Sequence, residues 1–355
     1  MLEVIHLPLT FTPPHLYPTE QLIEHDLPMT TTLPPVKNLP SARVITTEPR
    51  FSDKVFRGVV TIGGLSTLAI LAAISLFLAY NGLEIFISSG LGFLTGFEWI
   101  DAIPEENLLA SYGIGAMLYG TLVTGILAVI FGVPIAVGSA LFLSYYAPQW
   151  IKRPMVILVD VMAAIPSIVF GLWGYFVFMP HAEYWAKLIH KYLSFIPFFD
   201  MPAPVFTRSP FIAGLVLAIM IIPIVTSVSR EIFAQTPLDR IQAAYALGAT
   251  RWTMIKAVVI PYGIGGVIGG AMLGLGRAMG ETVAVYTVLN LVYDIRIEVL
   301  LSAGGNVASM IVNKFGEADG VELRALMAAG FVLFLVTLAV NFIANTVINR
   351  TTRKG

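Results

Sequence analysis

Long uncharged apolar stretches dominate the sequence. They cover residues 58–83, 107–151, 161–182, 209–229, 257–276 and 325–349. A helix needs about 20 apolar residues to cross ~30 Å of hydrocarbon, and backbone polar groups in lipid must be satisfied internally. The stretches lack the short alternating segments of a membrane barrel. The pattern therefore predicts an all-α membrane protein with six transmembrane helices, in which the second stretch supplies one long helix over about 117–146.

The first 57 residues have a different composition from the rest. They hold nine of the 22 prolines and show no sustained apolar periodicity, a pattern typical of disorder. We therefore predict a Pro/Thr-rich disordered tail over 1–57, a six-helix transmembrane domain over 58–350 and a short C-terminus over 351–355. A regulatory or docking role for the tail is an alternative to a plain extension.

Composition narrows the class of protein. The chain is 57% hydrophobic and 12% charged, against about 25% charged for soluble domains, and its mean hydropathy is +0.81. A soluble enzyme is excluded on this basis. There is no cysteine, four of the five histidines lie outside the apolar stretches and His181 lies at the end of the third, and no Gly-Lys dipeptide can form a P-loop. We expect no metal, no cofactor and no catalytic residue, so that any ATP hydrolysis comes from a partner.

The distribution of basic residues predicts the orientation in the membrane. With six spans, the tail, the loops after the second and fourth spans and the C-terminus lie on the same side of the membrane. These segments contain 14 basic residues, and the segments on the other side contain six. Short cytoplasmic loops retain Lys and Arg. Both termini are therefore expected to be cytoplasmic, although the formal net charge of the whole chain is only −1.

The segment between the fourth and fifth stretches, about 232–261, predicts a short helix near 237–247. Its apolar residues recur at helical spacing: Leu238, Ile241, Ala244 and Tyr245. Gly248 permits a tight turn into a second short helix. Such an amphipathic helix needs a partner for its apolar face. The alternative is a helix lying on the bilayer surface, which Arg240 and Arg251 would support.

The fifth stretch ends in charged residues, in the run Gly276-Arg-Ala-Met-Gly-Glu-Thr282. An arginine at membrane depth costs at least about 2.5 kcal/mol, so it should face protein or water. Arg277 and Glu281 are four residues apart and are predicted to pair on one helix face. Two interpretations follow: a salt bridge that pins two helices, or an anion path in which the planar guanidinium binds a tetrahedral oxyanion.

Two further features lie inside predicted helices. In the third stretch, Asp160 precedes Pro166 and Ser167. A proline bends a helix and frees a carbonyl, and a serine there can restore a hydrogen bond or face a path. Asp160 is either a path residue or a carboxylate that reaches back to the cytoplasmic interface. In the fifth stretch, glycines at every fourth position (Gly266, Gly270, Gly274) predict close approach of another helix.

The loop before the fifth stretch resembles the coupling loop of ABC-importer permeases. The family pattern is Glu-Ala-Ala, three residues, Gly and a closing Pro, and the matching positions here are Gln242, Ala243, Ala244, Gly248 and Pro261. Gln242 departs from the usual Glu, which puts a salt bridge to the ATPase at that point in doubt.

Six further runs resemble more narrowly the permease of the phosphate-specific ABC importer, of the PstC type rather than the PstA type. They are Tyr119-Gly-Thr-Leu, Ala163-Ala-Ile-Pro-Ser, Gly171-Leu-Trp-Gly, Gln235-Thr-Pro, Gly274-Leu-Gly-Arg-Ala-Met-Gly-Glu-Thr and Asn313-Lys-Phe-Gly-Glu-Ala.

The resemblance implies the type I ABC-importer permease fold and ATP-driven phosphate import across a bacterial inner membrane. It implies as partners a PstA-like sister permease, two copies of a PstB-like ATPase and an external PstS-like phosphate-binding protein, with lipid around the helices and no nucleic acid. Arg277 and Glu281 match the family's phosphate-pathway residues, and we add Asp160 and Ser167 as pathway candidates. The expected ATPase-coupling residues are Arg240, Gln242, Ala243, Ala244, Gly248 and Pro261.

Other functions remain as alternatives at this point. The cargo could be another oxyanion, sulfate or molybdate. A self-sufficient secondary carrier or channel is a different class, but carriers often contain internal repeats, and the sequence has no second copy of Arg-Ala-Met-Gly-Glu-Thr. A membrane scaffold for a redox enzyme has little support, because the apolar stretches hold no Cys and a single His, His181, at the end of the third stretch.

Overall fold

The computed structural model describes residues 51–100, 110–201 and 205–352, without the side chains of residues 345 and 347–352. The helices are α1 (Phe51–Ser89), α2 (Gly92–Thr95), α3 (Gly115–Leu141), α4 (Gln149–Ala163), α5 (Ser167–Trp173), α6 (Met179–Leu193), α7 (Pro210–Ala234), α8 (Leu238–Ala246), α9 (Arg251–Met254), α10 (Ile260–Met279), α11 (Val283–Val288), α12 (Val307–Lys314) and α13 (Gly320–Thr352). Two short strands, β1 (Trp99–Ile100) and β2 (Ser111–Tyr112), form an antiparallel pair.

The boundary between tail and first helix differs from the prediction. Residues 1–50 of the predicted tail, and residues 353–355, lie outside the described residues. Residues 51–57, which we assigned to the tail, belong to α1. The last proline of the tail is Pro49, so nothing after it blocks a helix, and Asp53 in the first turn suits the positive end of the helix dipole.

Among the described residues, five helical segments are long and apolar enough to cross a membrane, namely Phe51–Ser89, Gly115–Tyr146, Pro210–Ala234, Arg251–Met279 and Gly320–Ala344. The second and fourth of these contain π-helical turns, at Phe142–Tyr146 and Ile255–Val259. The long helix predicted over 117–146 is confirmed.

The third predicted span is not one straight helix. It is a pair, Gln149–Ala163 and Ser167–Leu193, bent by 95° at a short break, and counts as a sixth span only if the pair is taken together. The break lies at Pro166, whose ring removes a backbone donor and disfavours helical backbone at the preceding residue. A proline predicts a bend, but the size of this bend depends on the packing around it.

The glycine ladder of α10 packs against α7. A Cβ at Gly266 would lie 2.5 Å from Ile232 Cγ1, and Gly270 and Gly274 face Val228 and Val225 of the same helix. The close approach predicted from these glycines is therefore confirmed. It holds α10 against the most buried of the long helices, since 67% of the apolar part of α7 is buried, compared with 39% for Arg251–Met279.

Candidate functional site

The short helix predicted near 237–247 is α8, Leu238–Ala246. Its inner face carries Ile241 and Ala244, which pack against a buried apolar cluster that includes Phe233 and Met254. The Tyr145 hydroxyl donates a hydrogen bond to the Phe233 carbonyl, 2.9 Å away. The base of α8 is thus fixed to the ends of α3 and α7.

Gly248 ends α8 in the left-handed conformation, with φ +80°. The Gly248 N–H donates to the Tyr245 carbonyl at 2.9 Å, and the Ala249 N–H donates to the Ala244 carbonyl at 3.0 Å. These two bonds make a Schellman motif, which requires a positive φ that glycine adopts without strain. The Thr250 hydroxyl then caps α9 by accepting a backbone N–H bond at 3.2 Å. The predicted tight turn into a second short helix is confirmed.

A groove of about 1000 Å³ lies between α8 and the start of α10. Five of the six predicted coupling residues line it: Arg240, Ala243, Ala244, Gly248 and Pro261. Arg240 lies with its guanidinium carbon 5.8 Å from the centre of the Tyr262 ring. The sixth residue, Gln242, is exposed but is not among the residues lining the groove.

The outer surface of this region is apolar and exposed. Leu247 is 89% exposed, Leu238 is 70% exposed and Trp252 is 59% exposed. Large apolar side chains at such exposure next to a groove mark a surface for contact with another protein or with lipid.

α10 also presents an outer face, a stripe of exposed residues that lies beside the glycines that contact α7. The exposed residues of this outer face recur at helical spacing: Tyr262, Gly269, Leu273 and Arg277. Nothing lies within 4 Å of a Cβ built at Gly269. Arg277 is exposed in this chain, although it follows by one turn Gly274, which contacts α7.

The predicted pair of Arg277 and Glu281 is wrong. α10 ends at Met279, and Gly280 caps it, so the two residues do not share a continuous helix. Glu281 is instead 7% exposed, and its Oε1 accepts the Ala284 N–H at 3.3 Å at the start of α11. Within the described ranges, no hydrogen bond or ion pair joins Arg277 to another side chain.

Asn306, which was not among the residues predicted from the sequence, holds the Glu281 region in place. It is fully buried, its Nδ2 donates to the Glu281 carbonyl at 2.9 Å, and its Oδ1 accepts the Ser309 N–H at 2.6 Å. The Thr121 hydroxyl accepts the next N–H, that of Val307, at 3.1 Å. An Asn directly before a short apolar helix is a recognisable N-cap signal, but its bond to Glu281 joins residues that are distant in the sequence.

The structure does not bring Asp160 and Ser167 together with Arg277. Asp160 is exposed near the end of α4, before the 95° break. Ser167 begins α5, and Gly171, one turn later on the same face, contacts α11, where a Cβ would lie 2.8 Å from Ala284 Cα. Ser167 is therefore near the start of α11 through α5, whereas Asp160 belongs to a separate helix.

A family model for binding-protein-dependent transport system inner membrane components matches residues 132–354. Among solved structures, a bacterial alginate ABC transporter in complex with an alginate-bound periplasmic protein aligns with a TM-score of 0.50 and 15% identity, covering 86% of this chain and 99% of that one. This likeness supports the fold, a type I ABC-importer permease fold.

Curated relatives share considerably more sequence. The phosphate transport system permease protein PstC of Pasteurella multocida is 39% identical over 85% of this chain and 93% of its own length. PstC of Xylella fastidiosa is 37% identical over 92% of this chain and 98% of its own. PstC 2 of Mycobacterium tuberculosis is 37% identical over 84% of this chain and 92% of its own length. The chain therefore belongs to the binding-protein-dependent transport system inner membrane component family, within its group of PstC phosphate transport system permeases.

Proposed function

We propose that this chain is a transmembrane permease subunit of an ATP-driven importer of inorganic phosphate, and that Arg277 faces the translocation path. The observation that carries the proposal is the segment Arg251–Met279. Its 29 residues form one helical unit, roughly 40 Å long at 1.5 Å per residue, which begins beside the groove of α8 and ends at Arg277. A displacement of α8 is thereby transmitted to the cation.

Phosphate suits the exposed Arg277. The guanidinium presents five N–H donors in a planar fork that matches two oxygens of a tetrahedral anion. A cation at the end of a membrane span must face protein or water, and this one has no carboxylate partner among the described residues. The PstC names of the relatives supply phosphate as the anion. Glu281 contributes by capping α11 and fixing the backbone after Gly280.

The partners follow from the two exposed surfaces. The groove and apolar outer surface of α8 would receive a PstB-like ATPase, with a second copy serving a PstA-like sister permease. The outer face of α10 would meet that sister, so that the path lies between the two. A PstS-like protein would deliver phosphate from outside. ATP hydrolysis belongs to the ATPase, and this chain supplies the path.

The charge distribution supports an orientation with both termini in the cytoplasm of a bacterium and several passes through its inner membrane. The groove of α8 then faces the cytoplasm, where the ATPase is, and Arg277 lies toward the outer side. Ser167 is kept as a pathway position through its closeness to α11. Asp160, on α4, is assigned to the cytoplasmic mouth.

The test is uptake of labelled phosphate into proteoliposomes that contain the four kinds of subunit. We expect uptake that needs ATP and persists in a large excess of sulfate or molybdate. Competition by sulfate would assign another oxyanion as cargo, and uptake without the ATPase would assign a secondary carrier.

A further inference from the structure

A second cation lies in a cavity of about 400 Å³ beside α11. The cavity is walled by α5, the segment before α7, α11 and α12. Its polar lining residues are Arg208, Tyr286, Thr287, Asn290, Ser309 and Asn313, and none of its lining residues is acidic. Thr287 belongs to α11, whose first turn is capped by Glu281, so α11 links the cavity to the segment that follows α10.

Arg208 is held in this cavity by neutral groups. Its Nη1 donates to Asn290 Oδ1 at 3.3 Å, and Asn290 in turn donates to Ser302 Oγ at 2.9 Å. The guanidinium carbon lies 5.0 Å from the centre of the Tyr175 ring. A guanidinium has five N–H donors, so most of them stay available, and no carboxylate of the described residues forms an ion pair with it.

The backbone at Arg208 is also unusual. With φ +48°, it is the only non-glycine residue in the left-handed region among the residues that the structure describes. This conformation disfavours side chains with a Cβ and persists where the surrounding structure enforces it, often at functional positions. It directs a long basic side chain into the cavity at a position where Asn or Gly would adopt the positive φ at a lower conformational cost.

We propose that this cavity is an outer oxyanion site, a vestibule in which Arg208 binds hydrated phosphate before it reaches Arg277. The inference rests on the proposed function, which it extends by a second site. The available volume would hold the anion with several waters of about 30 Å³ each, so the anion keeps much of its hydration. One cation and neutral donors then give weak binding that raises the local concentration of the anion without trapping it.

The test measures binding of labelled inorganic phosphate to the complex of permeases and ATPase, without the binding protein, by equilibrium dialysis. An Arg277→Gln background isolates the outer site. Arg208→Asn removes the guanidinium and keeps a residue that accepts a positive φ, and Arg208→Lys keeps the charge. The matched control is Arg296→Gln, since Arg296 is an exposed arginine already paired with Asp294 at 2.7 Å.

We expect Arg208→Asn to weaken the remaining phosphate binding by about tenfold or more, because the charge-assisted hydrogen bonds of the guanidinium are lost. Arg208→Lys keeps the charge and should weaken the binding less. Arg296→Gln should change it by less than about twofold, as a screened surface pair would. The proposal would be overturned if Arg208→Asn bound phosphate as tightly as its Arg277→Gln parent. It would also be overturned if Arg296→Gln lost as much phosphate binding as Arg208→Asn. Failure of the unmodified complex to transport phosphate would instead count against the proposed function, and the same dialysis with sulfate would still test the cavity.

Discussion

The two ends of the segment Arg251–Met279 present opposite chemistry. At its start, exposed apolar side chains such as Leu247 surround a groove, and Arg240 lies against an aromatic ring. At its end, Arg277 is exposed without a counter-ion among the described residues. An apolar surface suits a protein partner, and an uncompensated cation suits an anion. Under the proposed function, the same helical segment would connect a protein contact to an anion contact.

Glycine ends a helix at both places, with different results. Gly248, at φ +80°, turns α8 back into another helix through a Schellman motif. Gly280 ends α10, and the next carboxylate, Glu281, turns inward to cap α11. The break at Gly248 positions α8 and α9 beside the groove, whereas the break at Gly280 separates Arg277 from Glu281, the carboxylate that could have neutralised it.

The largest effect on the coupling of uptake to ATP hydrolysis is expected from changing the turn at the α8 end. Gly248→Val places a β-branched side chain at a positive φ, which costs upward of about 1–2 kcal/mol and should displace α8. Uptake per ATP hydrolysed should fall sharply while the complex still assembles. Gly248→Asn is the control, because Asn tolerates this conformation, and it should stay near the unmodified ratio. Normal coupling in the Val variant would count against α8 as the coupling helix.

The two faces of α10 can be compared with one added methyl group each. Gly266→Ala introduces a Cβ 2.5 Å from Ile232, and such overpacking costs about 1–3 kcal/mol. Gly269→Ala meets nothing within 4 Å and should be neutral or stabilising by up to about 1 kcal/mol through helix propensity. Thermal unfolding of the purified complex measures both. A lower midpoint for Gly269→Ala than for Gly266→Ala would reverse the assignment of the faces.

The capping role of Glu281 predicts a smaller effect at the Arg277 end. Glu281→Ala removes the acceptor of the Ala284 N–H and should destabilise the complex by about 1 kcal/mol, whereas Glu281→Gln keeps an oxygen acceptor and most of the stability. The melting temperatures of the two variants make the comparison. Equal destabilisation by both would show that the negative charge, rather than the cap, holds this region.

The smallest effect is expected at Thr250, whose hydroxyl caps α9 in an exposed position. Thr250→Ala should cost at most about 1 kcal/mol and lower coupling slightly, while Thr250→Ser should match the unmodified complex. Uptake per ATP and the melting temperature measure the effect. A loss as large as that of Gly248→Val would mean that the cap, rather than the glycine, fixes α8.

The regions that sequence reasoning predicted well are those governed by local chemistry. α8, its glycine turn and α9 depend on residues within a few positions of one another. The ladder from Gly266 to Gly274 likewise predicts close packing without knowledge of the partner. The presence of long apolar helices likewise follows from length and hydropathy, although their bounds do not, since α1 begins at Phe51 rather than at residue 58.

The predictions that failed needed information beyond local spacing. In a helix with glycines at 266, 270, 274 and 276, nothing distinguishes Gly280 as the residue that ends it, so the four-residue spacing of Arg277 and Glu281 was misleading. The 95° break at Pro166 depends on packing as well as on the proline. Asn306 and Arg208 act through partners 25 and 82 residues away, contacts that only the tertiary structure creates.

The central claim is that Arg277 acts as an uncompensated cation on the path and not as half of a salt bridge with Glu281. The most direct measurement compares phosphate uptake by complexes carrying Arg277→Gln, Arg277→Lys, Glu281→Gln and the charge-swapped double variant. We predict that Arg277→Gln lowers phosphate uptake by about a hundredfold, the value of two charge-assisted hydrogen bonds, while ATPase activity and assembly are retained. Arg277→Lys should keep part of the uptake, and Glu281→Gln should lose much less of it than Arg277→Gln. Undiminished uptake by Arg277→Gln, or uptake restored by the charge swap, would contradict the claim.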